Sequence, residues 1–92
     1  EFGRTFRENG SKGTDHGHGS TLWLLGGGIS GGAIHGDQAR LRDADLHQNR
    51  DVPVLNDYRS VLSEVFQEMF GLPGHDLRHV FPRLRPGRQL FL

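Results

Sequence analysis

The chain has 92 residues, and its eleven basic and eleven acidic side chains cancel to a net charge of zero. A chain of this length forms one domain that buries only about two-thirds of its unfolded surface, and a balanced charge gives no reason to expect a nucleic acid, an acidic substrate or a membrane surface as partner. The chain has no cysteine, which excludes disulfides, thiolate zinc sites and a cysteine nucleophile and leaves His, Asp and Glu as strong metal ligands.

The first informative segment, residues 13–19, reads GTDHGHG. It places one carboxylate and two imidazoles within four positions, at Asp15, His16 and His18, with little bulk between them. Carboxylate and neutral imidazole suit Zn²⁺, Mn²⁺ or Fe²⁺, and an extended His-x-His pattern puts both rings on one side of the chain. The DHGH segment (residues 15–18) therefore predicts a divalent-cation site.

The DHGH segment does not supply a complete ligand set, because a metal in a protein needs three or four ligands. The remaining ligands would come from elsewhere in the chain, where the available side chains are Glu1, His35, His47, His75 and His79. The competing interpretation is a polar loop in which Asp15 caps a turn and the histidines are solvated.

Two short strands are predicted next. Residues 21–25, TLWLL, form an apolar run between glycines, which favours a buried strand over a helix, and residues 32–36 can form a second strand. The glycine-rich segment between them lacks the Lys-Ser/Thr of a P-loop and the spacing of a dinucleotide fingerprint. A tight turn between the two strands is therefore favoured over a phosphate site.

The middle of the chain is polar, and Leu41 and Leu46 are its only large apolar side chains before Val52. This composition predicts a surface connection over residues 37–55 with one helical turn. The segment that follows has the i, i+3, i+4, i+7 spacing of an amphipathic helix. Its apolar positions are Tyr58, Val61, Leu62, Val65, Phe66, Met69 and Phe70.

The predicted helix, residues 56–71, has recognisable ends. Asn56 or Asp57 can cap its start, and Gly71 can end it two residues before Pro73. We expect its apolar face to pack on the strand around Trp23 and to form the core, or else to make an oligomer contact.

The C-terminal tail, residues 72–92, contains Arg83, Arg85 and Arg88 and ends in Leu90-Phe91-Leu92. This apolar end is too short to anchor in a membrane, so it would dock on the core or contact a partner. Nucleic-acid binding is disfavoured because no aromatic residues alternate with the arginines. The whole chain is thus predicted to be a single domain, with a glycine-rich part (residues 1–36), a connection, a helix and a tail.

Several blocks of sequence together resemble a known family. In order and spacing they are similar to the C-terminal region of a bacterial domain-of-unknown-function family of sulfatase-like proteins in the alkaline phosphatase superfamily, usually exported by the twin-arginine route. The blocks are Glu1-Phe2-Gly3-Arg4-Thr5, Asn9-Gly10, residues 13–19, Leu24-Leu25-Gly26-Gly27-Gly28-Ile29 and Gly31-Gly32, with Asp57-Tyr58-Arg59 and Val80-Phe81-Pro82 as later landmarks.

The resemblance implies that the chain, which begins without methionine, is the last quarter of a longer protein exported to the periplasm or beyond. It implies a three-layer α/β sandwich with divalent metals, whose N-terminal nucleophile is not in this chain. Asp15 and His16 look like the superfamily's metal-ligating pair at a strand end. His18 would be a third ligand or proton shuttle, and Glu1 and Arg4 would lie near the same site.

These considerations predict an α/β fold, or α+β for this part alone, with short glycine-bounded strands on one long helix as a partial alkaline-phosphatase-like sandwich. The predicted function is hydrolysis of phosphate or sulfate esters, which are small-molecule substrates. The metal would be held by Glu1, Asp15, His16 and His18, with Arg4 and His18 as catalytic residues. Zn²⁺ is the first candidate, before Mn, Fe or Ca. The alternative is a non-catalytic, self-associating interaction module, and a homo-oligomer is expected in either case.

Overall fold

The structure, a computed structural model, describes residues 2–85. Two helices and a two-stranded antiparallel sheet make it an α+β structure, which confirms the predicted class. The chain divides into two compact units. One comprises the described residues of Glu1–Trp23 and Asp37–Leu55, and the other comprises those of Leu24–Gly36 and Asn56–Leu92.

The first unit contains the sheet. Strand β1 (Gly3–Arg4) pairs antiparallel with strand β2 (His16–Gly17), in the register Gly3 to Gly17 and Arg4 to His16. Glycine is required at position 17, because a Cβ there would lie 2.5 Å from Oδ1 of Asp51 and 2.8 Å from the carbonyl carbon of Arg4. The sheet is therefore short and closely packed at the point where the DHGH segment begins.

The turn that joins β1 to β2 is organised by Asn9. Its side-chain Oδ1 accepts hydrogen bonds from the backbone N–H groups of Ser11 and Gly13, both at 3.0 Å. The Asn9 N–H donates in turn to the Gly13 carbonyl at 2.8 Å. Asparagine commonly closes turns in this way, and it brings the chain back beside β1.

The polar segment of residues 37–55 contains the predicted helical turn, a 3-10 helix at Asp43–Asp45. Backbone hydrogen bonds and a buried side chain join this segment to the rest of the first unit, so it is more than a surface connection. The Arg50 carbonyl accepts from the N–H groups of Phe6 and Arg7 at 3.0 and 3.2 Å. Leu46 is buried, and an isolated β-bridge joins His47 to Asp51.

In the second unit, helix α1 (Tyr58–Phe70) has the predicted ends. Asp57 is its N-cap and accepts a hydrogen bond from the Arg59 N–H at 2.9 Å. Gly71 ends the helix in the left-handed conformation, with φ 61°, where the absence of a Cβ removes the steric cost. The sequence therefore predicted this element together with its caps.

Helix α2 (Gly74–Val80) lies within the segment predicted only as a tail. The Pro73 carbonyl accepts from the N–H groups of Asp76 and Leu77, and Leu77 is buried. The helix was missed because its seven residues are too few to show apolar periodicity. Beyond it, Phe81 stacks on Phe66 of α1, with ring centroids 5.9 Å apart.

The prediction of two glycine-bounded strands is wrong. Residues 21–25 and 32–36 have no strand structure, and the Trp23 side chain is 81% exposed, so no core forms around it. An extended segment is stabilised by a neighbouring strand, and neither segment has such a partner among residues 2–85. The glycine-rich turn between them does form, with the Ile29 N–H donating to the Gly26 carbonyl.

The buried apolar side chains of the described chain are Leu46 in the first unit and Leu77 in the second. The apolar face of α1 is only partly covered, since Tyr58, Met69 and Phe70 are exposed. Neither described helix is long and apolar enough to span a membrane. Arg88 and the apolar end at residues 90–92 lie outside the described residues.

Candidate functional site

The DHGH segment is fixed by the backbone of β1 and the residue that follows it. The Thr5 N–H donates to the Asp15 carbonyl at 3.1 Å, and the Asp15 N–H donates to the Thr5 Oγ1 at 3.2 Å. Thr5 is buried and the bond to its Oγ1 is partly buried, so the Thr5 side of this reciprocal pair is shielded from water. It sets the position of Asp15 immediately before β2 begins at His16.

The Asp15 side chain is exposed and has polar neighbours. Its Oδ1 accepts a hydrogen bond from the Asn9 Nδ2 at 3.0 Å, and its Oδ2 lies 3.7 Å from a guanidinium nitrogen of Arg50. The polar-loop interpretation assigned the turn to Asp15, whereas Asn9 is the side chain that closes it. The Asp15 side chain is 53% exposed, so a ligand can approach it from solvent.

His16 and Arg4 are neighbours in the sheet register, and their side chains make different contacts. The His16 ring lies against Phe2, with centroids 4.8 Å apart. The Arg4 guanidinium donates to the Thr14 carbonyl at 3.0 Å, and both Arg4 and His16 are exposed. Glu1, the remaining predicted ligand, lies outside the described residues.

His18 has the most specific surroundings of the predicted residues, because it is paired with a buried carboxylate. The Asp51 Oδ2 lies 2.6 Å from His18 Nδ1 and also accepts a hydrogen bond from the His18 backbone N–H at 2.7 Å. The other oxygen, Oδ1, accepts from the Val52 N–H at 2.7 Å. The Asp51 side chain is 4% exposed, whereas that of His18 is 64% exposed.

The hydrogen bonds favour the ionised form of Asp51. Burial raises the pKa of this carboxyl, but the hydrogen bond with the His18 ring and those from the His18 N–H and the Val52 N–H together outweigh burial and lower the pKa of Asp51 below its ordinary value. A buried carboxylate that accepts several N–H groups behaves in this way. Asp51 is therefore a fixed negative charge beside Nδ1 of the His18 ring.

His47, one of the residues available as a further ligand, lies beside this pair. Its ring meets that of His18 edge-on, with centroids 5.0 Å apart. The position is set by the β-bridge, in which His47 and Asp51 exchange backbone hydrogen bonds of 2.8 and 3.0 Å. His18, His47 and Asp51 thus form one cluster, which we call the histidine cluster.

Among residues 2–85, no group of three or more His, Asp or Glu side chains is arranged to hold a metal ion. Asp15, His16 and His18 are consecutive or nearly so, but their side chains contact different neighbours. His35 is half-buried and, with His75 and His79, belongs to the second unit.

Asp51 is the residue that sequence reasoning missed. It lies 33 positions from His18 in a segment read as a surface connection. The one local signal is that Asp51 stands at the boundary where the polar segment gives way to Val52-Pro53-Val54-Leu55. An acidic residue at the start of an apolar run is weak evidence for burial, and the partner cannot be read from it.

No curated protein and no solved structure matches the chain significantly. A family model does match, over residues 1–81, and it is described as a protein of unknown function (DUF1501). The matched region includes the DHGH segment, the histidine cluster and both helices. The chain therefore belongs to this family of proteins of unknown function, DUF1501.

Proposed function

We propose that the chain is the metal-binding part of a hydrolase that acts on phosphate or sulfate esters. Asp15 and His16 are the proposed ligands, and His18 is a third ligand or a proton shuttle. The observation that carries the proposal is the His18 pair with Asp51: a buried carboxylate on Nδ1 is the usual partner of a metal-binding histidine, because it fixes the ring and raises its basicity.

The donor chemistry of the DHGH segment suits a divalent cation of the zinc type, since it combines one carboxylate with two imidazoles. These three side chains are exposed to solvent. Within the described part of the chain, the three side chains are not arranged so that together they could hold a metal ion. A complete site would therefore need a further ligand, for which Glu1 is our candidate, and an adjustment of the side chains that are present.

A bound divalent cation would polarise an ester oxygen or lower the pKa of bound water towards about 7. The chain's own residues would do the rest. His18 would hold or release a proton at Nε2, and Arg4 would place positive charge beside the DHGH segment, where a guanidinium can bind the oxygens of a phosphate or sulfate group.

The assignment to sulfatase-like proteins of the alkaline phosphatase superfamily, and export by the twin-arginine route, belong to the same proposal. They rest on the five sequence blocks and on the Asp15-His16 pair. His16 is the first residue of β2 and Asp15 immediately precedes it, and the superfamily's metal-ligating pair likewise lies at a strand end. The reaction class is taken from that resemblance, which is an analogy of fold and motif.

The test is the metal content of the purified chain after equilibration with Zn²⁺ and gel filtration, measured by elemental analysis. We expect near-stoichiometric zinc that is lost when Asp15 and His16 are both changed to alanine. The matched control changes His75 and Asp76, an adjacent pair whose side chains are exposed in α2. Zinc retained by the Asp15→Ala/His16→Ala variant would contradict the ligand assignment.

A zinc-loaded chain would then be assayed with p-nitrophenyl phosphate and p-nitrophenyl sulfate. We expect slow, zinc-dependent hydrolysis of at least one ester, because a metal alone can supply the nucleophile. Hydrolysis by the Arg4→Ala variant should be slower, with the loss mainly in KM if Arg4 only binds the anionic group. Equal rates with and without zinc would overturn the hydrolase proposal.

A second candidate function is a non-catalytic, self-associating interaction module. It is favoured by large apolar side chains that are exposed in both units, among them Trp23, Leu25 and Ile34 at 81%, 88% and 86%. Where such side chains form a contiguous patch, they commonly mark a contact surface. This module would assemble without metal, which distinguishes it from the hydrolase.

A further inference from the structure

We infer that Asp51 fixes His18 in the tautomer that carries its proton on Nδ1, so that Nε2 is the nitrogen that presents a lone pair. Asp51 is thereby a positioning residue, since it acts through the imidazole. The tautomer follows from the hydrogen bonds that an ionised Asp51 accepts while the imidazole is neutral. Its use in binding a metal or a proton rests on the proposed function.

The hydrogen bonds of Asp51 determine where His18 carries its proton. The Asp51 carboxylate lies within hydrogen-bond distance of three nitrogen atoms. They are the backbone nitrogens of His18 and Val52, and His18 Nδ1 at 2.6 Å. An ionised carboxylate has acceptors only. The short contact with Nδ1 is therefore a hydrogen bond only if Nδ1 carries the proton, and in neutral imidazole that leaves Nε2 without one.

The carboxylate cannot turn away from His18 easily. The backbone of Asp51 is held in the β-bridge with His47. The Asp51 Oδ1 lies only 2.5 Å from the position that a Cβ on Gly17 would occupy, so it fills that space. The two backbone N–H groups fix both oxygens. The acceptor that selects the tautomer is therefore part of the folded first unit and is in position before any ligand arrives.

The His18 ring remains open to a ligand although Nδ1 is occupied. Its side chain is 64% exposed, and the His47 ring meets it edge-on at 5.0 Å without enclosing it. A histidine that binds a metal typically donates its other ring N–H to a carboxylate. The arrangement therefore assigns Nε2, and not Nδ1, as the atom of His18 that a metal or a transferred proton would reach.

The test is the ¹⁵N spectrum of the histidine rings in the whole chain, recorded without metal at rising pH until the His18 signals stop moving. The His18 signals are identified by their loss in the His18→Gln variant. We expect Nδ1 to show the shift of a protonated, pyrrole-like nitrogen and Nε2 that of a bare, pyridine-like nitrogen. This measurement needs no change at position 51, so it decides the inference even if variants there unfold. A wild-type His18 that carries its proton mainly on Nε2 overturns it.

The Asp51→Asn variant tests whether Asp51 selects the tautomer of His18. Its amide offers one acceptor instead of two, so we expect the His18 population to move towards the Nε2–H form while the backbone amide spectrum stays folded. The control is Asp76→Asn, which removes another carboxylate in contact with a histidine ring, His75, and should leave His18 unchanged. A folded Asp51→Asn variant with the wild-type tautomer would show that Asp51 does not select it.

Zinc binding separates this inference from the proposed function. If Nε2 of His18 is a ligand, the Zn²⁺ Kd should rise roughly 10–100-fold in Asp51→Asn, the usual effect of losing the carboxylate partner of a ligating histidine. A wild-type chain that binds no zinc but has the Nδ1–H tautomer would refute the metal proposal and uphold the inference. A wild-type chain that binds zinc but has the Nε2–H tautomer would uphold the metal proposal and refute the inference.

Discussion

At the residue scale, the two carboxylates near the DHGH segment have opposite surroundings. Asp15 is half-exposed and contacts Asn9 and Arg50, whereas Asp51 is buried and accepts hydrogen bonds from His18 and Val52. Burial without such donors would disfavour the charged form. Asp15 is therefore suited to bind a ligand from solvent, and Asp51 is suited to orient a side chain.

Gly17 carries a prediction at this scale. Gly17→Ala would place a methyl group 2.5 Å from the Asp51 Oδ1 and 2.8 Å from backbone of Arg4, so the sheet and the carboxylate would have to separate. We expect a loss of about 1–3 kcal/mol in the free energy of unfolding, the usual cost of overpacking. Urea denaturation followed by circular dichroism measures it.

The control is Gly10→Ala in the same unit, where an added Cβ would meet no atom within 4 Å. Its effect should stay within about 0.5 kcal/mol. Equal stability of the two variants would mean that the close approach at Gly17 is absent in solution.

At the scale of elements, α1 is specified by its own sequence. Asp57 caps it, apolar residues recur at helical spacing, and Gly71 ends it. Each of these signals lies within the helix or its two caps, so no distant partner is needed to interpret them. The strands β1 and β2 have two residues each and exist only because they pair with one another.

The N-cap of α1 gives a second prediction. Asp57→Ala removes the acceptor for the Arg59 N–H and should lower the free energy of unfolding by about 1 kcal/mol. Asp57→Asn keeps a capping oxygen and should lose much less. Thermal unfolding monitored at 222 nm compares the variants, and an alanine variant as stable as the asparagine variant would show that the cap contributes nothing.

The charge of Asp57 gives a pH dependence. Hydrogen bonds from the Arg59 side chain, and then from its N–H, lower the pKa of Asp57 from 3.8, so the folded state favours the ionised form. The resulting stability is fully present above about pH 4 and is lost as pH falls through the folded pKa. The difference in melting temperature between wild type and Asp57→Asn should therefore shrink as the pH falls from 5 to 2.

The Asp57 and Arg59 side chains are both more than one-third exposed, so added salt should weaken this pH dependence. A difference that grows on acidification would contradict the assignment.

At the scale of the whole molecule, much apolar surface remains exposed. Buried apolar side chains are few in residues 2–85, and Trp23 is among the large residues that face solvent. A chain of this kind has a small margin of stability by itself. Contact with another chain would cover part of this surface, which is the physical basis of the self-association candidate.

Sedimentation velocity tests that candidate. If Trp23 lies in a contact, wild type should sediment as an oligomer both with EDTA and with Zn²⁺, and Trp23→Ser should shift the distribution towards monomer. Ser30→Ala, at an exposed polar position, is the control. A wild-type monomer at all concentrations would refute the self-association module and the expected homo-oligomer, and it would leave the proposed metal site and reaction untouched.

The sequence by itself determined α1 with both of its ends, because local spacing and capping decide these features. It also predicted one helical turn within residues 37–55, without locating it at Asp43–Asp45, and it singled out the donors of the DHGH segment. The predicted strands failed because an apolar run forms a strand only beside another strand, and residues 21–25 and 32–36 pair with no strand in the described chain. Only the tertiary structure brought Asp51 against His18 across 33 positions. Such a pair depends on how the whole unit folds, and no spacing rule within either segment encodes it.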